Sequence, residues 1–289
     1  MERIEIGDLL QPFDWVGNGR KPKERLSLLK CFVAKSLYNI PQTKSFIDYL
    51  ESCPILRRLC GFESVGEIPS EATFSRAFQE LAKFDIAGRI HEAMTHKHFR
   101  DHLFCHVSRD SSAIVAREKP VKKEKEIKPK LKKGRPKKGE KSPRKEPRRL
   151  EQQIQRDLDA NLRDLPTDCN HGSKKDSKGN IMHWIGYKLH CDVVDGDIPV
   201  SAVVTSASLH DSQAAIPLAQ MTDQRVNTLY DLMDAAYDAP EIHDLSRKLG
   251  HVPIIDDNPR KGIKKEKDLS NPLLKKKKDS FLEKGFSNE

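Results

Sequence analysis

The chain has 289 residues, 36% hydrophobic and 33% charged, enough length for a proper core in one large or two ordinary domains but too much charge for all of it to be packed. Its net charge of +9 is concentrated: residues 117–150 hold 17 Lys or Arg and 5 Glu, a local +12 that leaves the remainder near −3. No run approaches the ~20 apolar residues of a membrane span, residues 1–20 lack a signal-like apolar block, and six cysteines (31, 53, 60, 105, 169, 191) without a CxxC pair argue against a disulfide framework and for reduced thiols. A near-neutral globule with one basic segment points to a polyanionic partner, most commonly nucleic acid, and the compartment expected is the cytoplasm.

Residues 22–100 read as helical. In "RLSLLKCFVAKSLYNI", Leu26, Leu29, Phe32, Val33 and Leu37 recur at helical spacing, and Pro41 ends the run. "TKSFIDYLESCPILRRLCG" predicts two short helices, the second closed by Gly61. In "EIPSEATFSRAFQELAKF", Ser70 is the candidate N-cap, Glu71 an early acid, and Phe74, Ala77, Phe78 and Leu81 the apolar face. A short helix before a capped one is compatible with a helix-turn-helix reader, although pattern alone favours a plain helical bundle.

"HLFCHVSRDSSAIVA" predicts a strand in which Leu103, Cys105 and Val107 alternate with polar neighbours, ending at Asp110. The basic segment 117–150 follows, rich in Lys and Pro with no apolar periodicity, and is expected to be disordered when free. Residues 151–165 predict one short helix. "WIGYKLHCDVV" and "IPVSAVVTSA" form a hairpin about the turn Asp195–Gly196–Asp197, with Tyr187, Leu189, Cys191 and Val193 on one face and Lys188, His190 and Asp192 on the other. "HDSQAAIPLAQM" predicts a helix capped by Asp211 or Ser212, "VNTLYDLMD" a strand, "APEIHDLSRKLG" a helix closed by Gly250, and "VPII" a last strand. The tail from 259 is basic and poorly patterned. This order makes an α/β domain with a mixed sheet.

Asp110 and Asp234 each follow an apolar strand, at the carboxyl edge where open α/β sheets bind ligands. Either one alone reads best as a turn or cap residue. Brought together they would repel unless a cation joined them, and Mg²⁺ takes one or two carboxylates along with water and phosphate. Such a site suits activation of water for in-line phosphodiester cleavage.

Together, "SRDSSAI", "GNIMHWIGYKLHCDVVDGDIPVSAVVTSASLHDSQAAIPL" and "LYDLMDAAYDAPEI" resemble the core of insertion-sequence transposases of the DDE type over about residues 103–258. Asp110 matches the first catalytic Asp and Asp234 the second, the latter in a D-x-x-Y-D context. The resemblance implies an RNase H-like mixed β-sheet flanked by helices (residues 101–258, interrupted by the basic insertion) behind an all-α DNA-binding region (1–100). It further implies Mg²⁺ (or Mn²⁺), strand cleavage and joining on double-stranded DNA at terminal inverted repeats and target, a homo-oligomeric active complex, and a nucleoid-associated location without membrane contact. The family's third acid, a Glu within Tyr-x-x-Arg-x-x-x-Glu, has no match after Tyr237. It is expected beyond residue 289 of a truncated, frameshifted or split reading frame, and a non-catalytic DNA-binding remnant is the alternative reading.

His210 and Asp211 form a second polar pair near a strand end, secondary candidates for the site, although Asp211 is also a good helix cap. "KKGRPKKGE" centres on Gly134, Arg135 and Pro136 like an AT-hook, with Lys133 where Arg is usual; an extended Arg there fits a narrow A·T groove. Phosphate binding without sequence preference is the plainer reading of Lys132, Lys133, Arg135, Lys137 and Lys138, and Lys188 joins them as a candidate DNA contact. Cys169, His171, His183, His190 and Cys191 fit no standard zinc spacing.

Overall fold

A computed structural model describes residues 9–17, 19, 21–121, 147–175 and 179–257. Most of the basic insertion, with the AT-hook-like element, and the tail from 259 lie outside the described residues. The chain divides into two compact units, residues 1–100 and 101–289.

The first unit carries helices α1 (Arg25–Leu37), α2 (Thr43–Ser52), α3 (Pro54–Leu59), α4 (Glu71–Lys83) and α5 (Ile86–Phe99). Leu28, Cys31 and Ala34 of α1 pack with Phe46 and Leu50 of α2, Leu56 of α3, and Phe74 and Ala77 of α4. The helix expected over α1 is present, but its buried stripe is rotated: Val33 and Leu37 are exposed, as is Phe78 of α4. The reason is that α1 serves two clusters. Leu26, Leu29 and Phe32 lean on a second one formed by Leu10, Leu81 and Ile86, so no single stripe holds all its apolar residues. Gly61 follows α3 at φ +94°, as a left-handed helix end requires. Ser70 occupies the N-cap position of α4, but its hydroxyl meets the Thr73 hydroxyl at 3.2 Å rather than capping a backbone amide.

The second unit is built on strands β1 (Leu103–Val115), β2 (Asn170–Lys175), β3 (Ile181–Val194), β4 (Ile198–Ser206), β5 (Asn227–Met233) and β6 (Val252–Ile255). β1 lies between antiparallel β3 and parallel β5, with β6 parallel beyond β5. β2 and β4 pair with the same edge of β3 end to end, β2 against Ile181–Gly186 and β4 against Tyr187–Val194. Where β3 passes from one to the other, Gly186 has φ +149°, and a Cβ there would collide with the Ile114 carbonyl oxygen; no larger residue fits the "GYKLH" start. The expected hairpin turn is present, with Gly196 and Asp197 at positive φ. Helices α6 (Arg149–Gln153) and α7 (Leu158–Asp164) replace the single helix expected over 151–165, because Asp157 caps α7 by accepting the Ala160 amide at 2.8 Å. α8 (Ser212–Asp223) and α9 (Pro240–Lys248) complete the unit. Leu150, Ala215, Ile216, Ala219, Met233, Tyr237, Ile242 and Leu245 form its main apolar cluster.

Two expectations about the sheet are corrected. β1 does not end at Asp110 but continues to Val115, and its inward alternation is not Leu103–Cys105–Val107: Leu103 and Cys105 are exposed, while Phe104 is buried. The Asp195 carboxylate accepts the amides of Cys105 and His106 at 2.8 and 3.2 Å, and β1 joins β3 only from Val107, so the period-2 pattern restarts there. In β3 the deeply buried residues are His190, Asp192 and Val194 rather than Tyr187, Leu189, Cys191 and Val193. A specific partner makes this inversion tolerable. Arg109, 4% exposed, donates from Nε and Nη2 to Asp192, 0% exposed, at 2.8 and 2.7 Å. The Thr222 hydroxyl of α8 donates to the same carboxylate at 2.6 Å. Burial works against the Arg109 charge, but Asp192 and then Asp231 hold its pKa above the ordinary value. A second buried pair lies beside the first: His251 Nδ1 meets Asp231 at 3.2 Å, with Asp223 at 3.8 Å from Nε2. The hydrogen bond to Asp231 raises the His251 pKa against its burial. Burial opposes the Asp231 charge too, yet His251 and Arg109 hold that carboxyl below its usual range.

Arg109→Leu should cost about 3–5 kcal/mol of stability by stranding buried Asp192, read from denaturant unfolding; a loss of ~1 kcal/mol or less would show that the pair behaves as an exposed one. For His251, whose folded pKa is raised, the stabilisation is full below its unfolded pKa of about 6.5 and fades as pH climbs through the folded value. His251→Gln should therefore be less stable than wild type near pH ~6 and approach it near pH ~9. Parallel melting curves against pH for the two proteins would refute this.

Candidate active site

The last pair of the parallel β1–β5 ladder is Arg109 with Met233, and the last of β5–β6 is Met233 with Ile255. The next residues of the three strands are Asp110, Asp234 and Asp256. Adjacent strands lie about 4.8 Å apart, so these positions form a row along the carboxyl edge. All three line one cleft of about 440 Å³, together with Arg109, Lys174, Leu232, Met233 and Ile254. Asp110 is thus not a strand end. It marks the point at which β5 leaves β1 while β1 runs on against β3 alone.

Asp110 and Asp234 are both exposed, and the described hydrogen bonds engage one oxygen of each. Asp110 Oδ1 accepts the Ser111 amide at 2.7 Å, and Asp234 Oδ1 accepts the Ala236 amide at 2.9 Å. Asp234 therefore caps the 3₁₀ turn Ala235–Tyr237 and faces the cleft at the same time. Cap and cleft residue are compatible roles, because a carboxylate has two oxygens.

Behind this edge lies a polar layer. Asp211 stands at the N-cap position of α8, but its side chain makes no cap bond; instead Oδ1 takes the Lys188 ammonium at 2.8 Å. Burial opposes its charge, and Lys188, aided by a hydrogen bond from Ser111, more than offsets this and lowers the Asp211 pKa. Lys188 also donates to the Leu209 carbonyl at 2.9 Å, and its side chain is only 12% exposed. Its place is thus internal rather than that of an exposed DNA contact. His190 is buried, meets the Thr205 hydroxyl at 2.9 Å, and has its pKa pushed down to about 4, chiefly by burial, so the imidazole is neutral. His210 is exposed, bonds the Ser212 hydroxyl at 2.8 Å, and does not line the cleft.

The donor set bears on what the cleft could hold. Two exposed hard carboxylates, each with one oxygen outside the described amide bonds, fit a divalent cation of the Mg²⁺ type that completes its shell with water and phosphate. They do not make a closed protein cage: among the described residues no three His, Cys, Asp or Glu side chains converge tightly enough for one. The same holds for the cysteines and histidines around Cys169 and Cys191. Lys132, Lys133, Arg135, Lys137 and Lys138 lie outside the described residues, but both flanks of their segment are anchored to this unit. The Val121 amide donates to the Cys169 carbonyl, Arg148 bonds Glu151 and Glu241, and Arg149 bonds Asp164 and Gln213.

Asp256 is a cleft residue that sequence reasoning missed. The signal was available: "VPIID" repeats, in short form, the strand-then-Asp pattern of "LYDLMD". Compared with known families, residues 110–286 match the model described as transposase DDE domain, and residues 2–80 match one described as transposase domain (DUF772). No curated protein and no solved structure matches the chain.

Proposed function

Since this chain belongs to the transposase DDE domain family, whose model covers more than half of it, and its mixed six-stranded sheet is the RNase H-like fold of that family, we propose that it binds transposon ends and target DNA and cleaves and joins phosphodiester bonds there with Mg²⁺ or Mn²⁺. The observation that carries the reading is the placement of Asp110 and Asp234 side by side where the β1–β5 ladder ends, in one cleft. These two carboxylates would hold the cation. When bound, the cation supplies an acidified water and neutralises charge on the scissile phosphate. The remaining work falls to the chain. The cap bond from Ala236 engages one oxygen of Asp234 and the Ser111 amide one of Asp110, so each carboxylate keeps its other oxygen for a cation. Lys174 on the cleft wall suits a phosphate of the bound strand, and residues 1–100 together with the basic segment would hold the duplex. A third acid would complete the set. Nucleoid association and a homo-oligomeric complex holding two ends belong to the same proposal.

Asp110→Asn and Asp234→Asn should each lower Mg²⁺-dependent nicking by at least about a hundredfold with DNA affinity nearly intact. Equal nicking by the double variant would remove the metal assignment, and a wild-type chain that binds DNA but never nicks would favour the DNA-binding remnant. Deleting residues 120–149 should weaken binding and flatten its salt dependence, the log–log slope falling by ~0.9 for each phosphate that is no longer neutralised. An unchanged slope would show that the basic segment does not touch the DNA.

A further inference from the structure

Helix α4 faces in two directions. Phe74 and Ala77 are buried in the first cluster of its unit and Leu81 in the second, so both clusters hold the helix in place. On the opposite side, Ala72, Ser75, Arg76, Gln79 and Lys83 recur three and four residues apart, and all are exposed. That spacing makes one stripe. Among the described residues, the side chains of Ser75, Arg76, Gln79 and Lys83 have no hydrogen-bond or ion-pair partner. Packing accounts for the inner stripe and leaves the outer one without a task.

The chemistry of the outer stripe narrows what it fits. Ala72 and Ser75 are short, so a partner can approach the backbone between the longer Arg76 and Gln79. An arginine fork pairs with O6 and N7 of guanine, and a glutamine amide with N6 and N7 of adenine. Arg76 and Lys83 make the stripe positive. Glu80 beside it is taken up by Arg25, whose Nε and Nη2 donate to its Oε2 at 2.9 and 2.7 Å, and Glu71 stands on the flank in the first turn. No side chain of the stripe is apolar and larger than alanine, so it lacks the anchor that a protein partner would bury. Along one edge, exposed Phe78 lines a groove of about 310 Å³ with Phe32, Lys35, Ser36 and Asn39. There Lys35 and Asn39 suit a phosphate, and Phe78 suits a thymine methyl.

We propose that α4 is the base-reading helix of this chain: its outer stripe enters the major groove of double-stranded DNA, Arg76 and Gln79 contact base edges, and Lys83 and Lys35 contact phosphates. This rests on the reading that residues 1–100 hold the duplex, and it adds the residues that would select a sequence. Recognition helices set the residues of their N-terminal half against base edges, and Ala72, Ser75, Arg76 and Gln79 all precede Lys83, which closes α4.

The test is selection of duplexes from a random-sequence pool by the full chain at fixed salt. It compares wild type, Arg76→Ala, Gln79→Ala and Arg58→Ala, the last removing the same charge as Arg76→Ala but from exposed Arg58 of α3. Wild type should enrich a motif. Arg76→Ala and Gln79→Ala should each lose one or two positions of it, lowering the preference for the motif over a random duplex about tenfold, while Arg58→Ala keeps it. Lys83→Ala should weaken all duplexes alike and lower the log–log salt slope by ~0.9. The wild-type motif from both Arg76→Ala and Gln79→Ala overturns the inference, as does a motif blurred equally by Arg58→Ala. A wild type that retains duplex without enriching any motif overturns it too and leaves DNA binding standing. A wild type that retains no duplex sinks the DNA reading and the inference with it.

Discussion

The second unit is organised around a buried ion pair. Arg109 of β1 and Asp192 of β3 face each other in the antiparallel register, grip through two hydrogen bonds, and take a third from Thr222 on α8. Two charges drawn out of water lose several kcal/mol of hydration each, and their attraction recovers this only with well-aligned partners. The pair is thus better understood as a device of specificity than of bulk stability. It also ties four elements together, since Arg109 reaches Met233 of β5 as well. A one-residue slip of β1 would turn Arg109 outward and carry every side chain to the wrong face. The residue after Arg109 is Asp110 and the residue after Met233 is Asp234, so the lock that sets the register also sets which carboxylates stand together.

That arrangement separates two kinds of charge by a single peptide unit. Arg109, Asp192, Asp231 and His251 are buried and compensated. Asp110 and Asp234 are exposed, with half of each carboxylate committed to a local amide. The cleft edge thus combines a buried, paired interior with exposed carboxylates, and Lys174 is an exposed positive charge on its wall. Like charges held side by side by a sheet attract a cation more effectively than the same residues on a loop, because the backbone ladder opposes their separation.

Much of this is legible in the sequence, and the failures have physical causes. The hairpin, the strand before Asp234 and the helix closed by Gly250 follow from turn chemistry and periodicity, which act locally. The burial of His190 and Asp192 is not legible, because hydropathy ranks them as surface residues and their partners lie 15 and 83 positions away. The length of β1 is hidden for a related reason. Asp110 looks like a terminator, yet pairing with β3 carries the strand past it. Asp211 looks like a cap, but an ammonium 23 positions earlier competes for it and wins. Asp256 escapes notice because its strand has only four residues, too few for a period to register. The pairing of Asp110 with Asp234 comes from family order rather than local pattern, and the β1–β5 register gives it a geometric basis.

The anchoring of the basic segment at both flanks has a mechanical consequence. It leaves the sheet just after β1, beside the Val121–Cys169 bond, and returns at Arg148 and Arg149, which grip Glu241 of α9 and Asp164 of α7. Flanks fixed on both sides divide any load placed on them. One flank continues the strand that bears Asp110 and the other is bonded to the helix that follows Asp234, so a force on either flank would reach an element adjoining a cleft carboxylate.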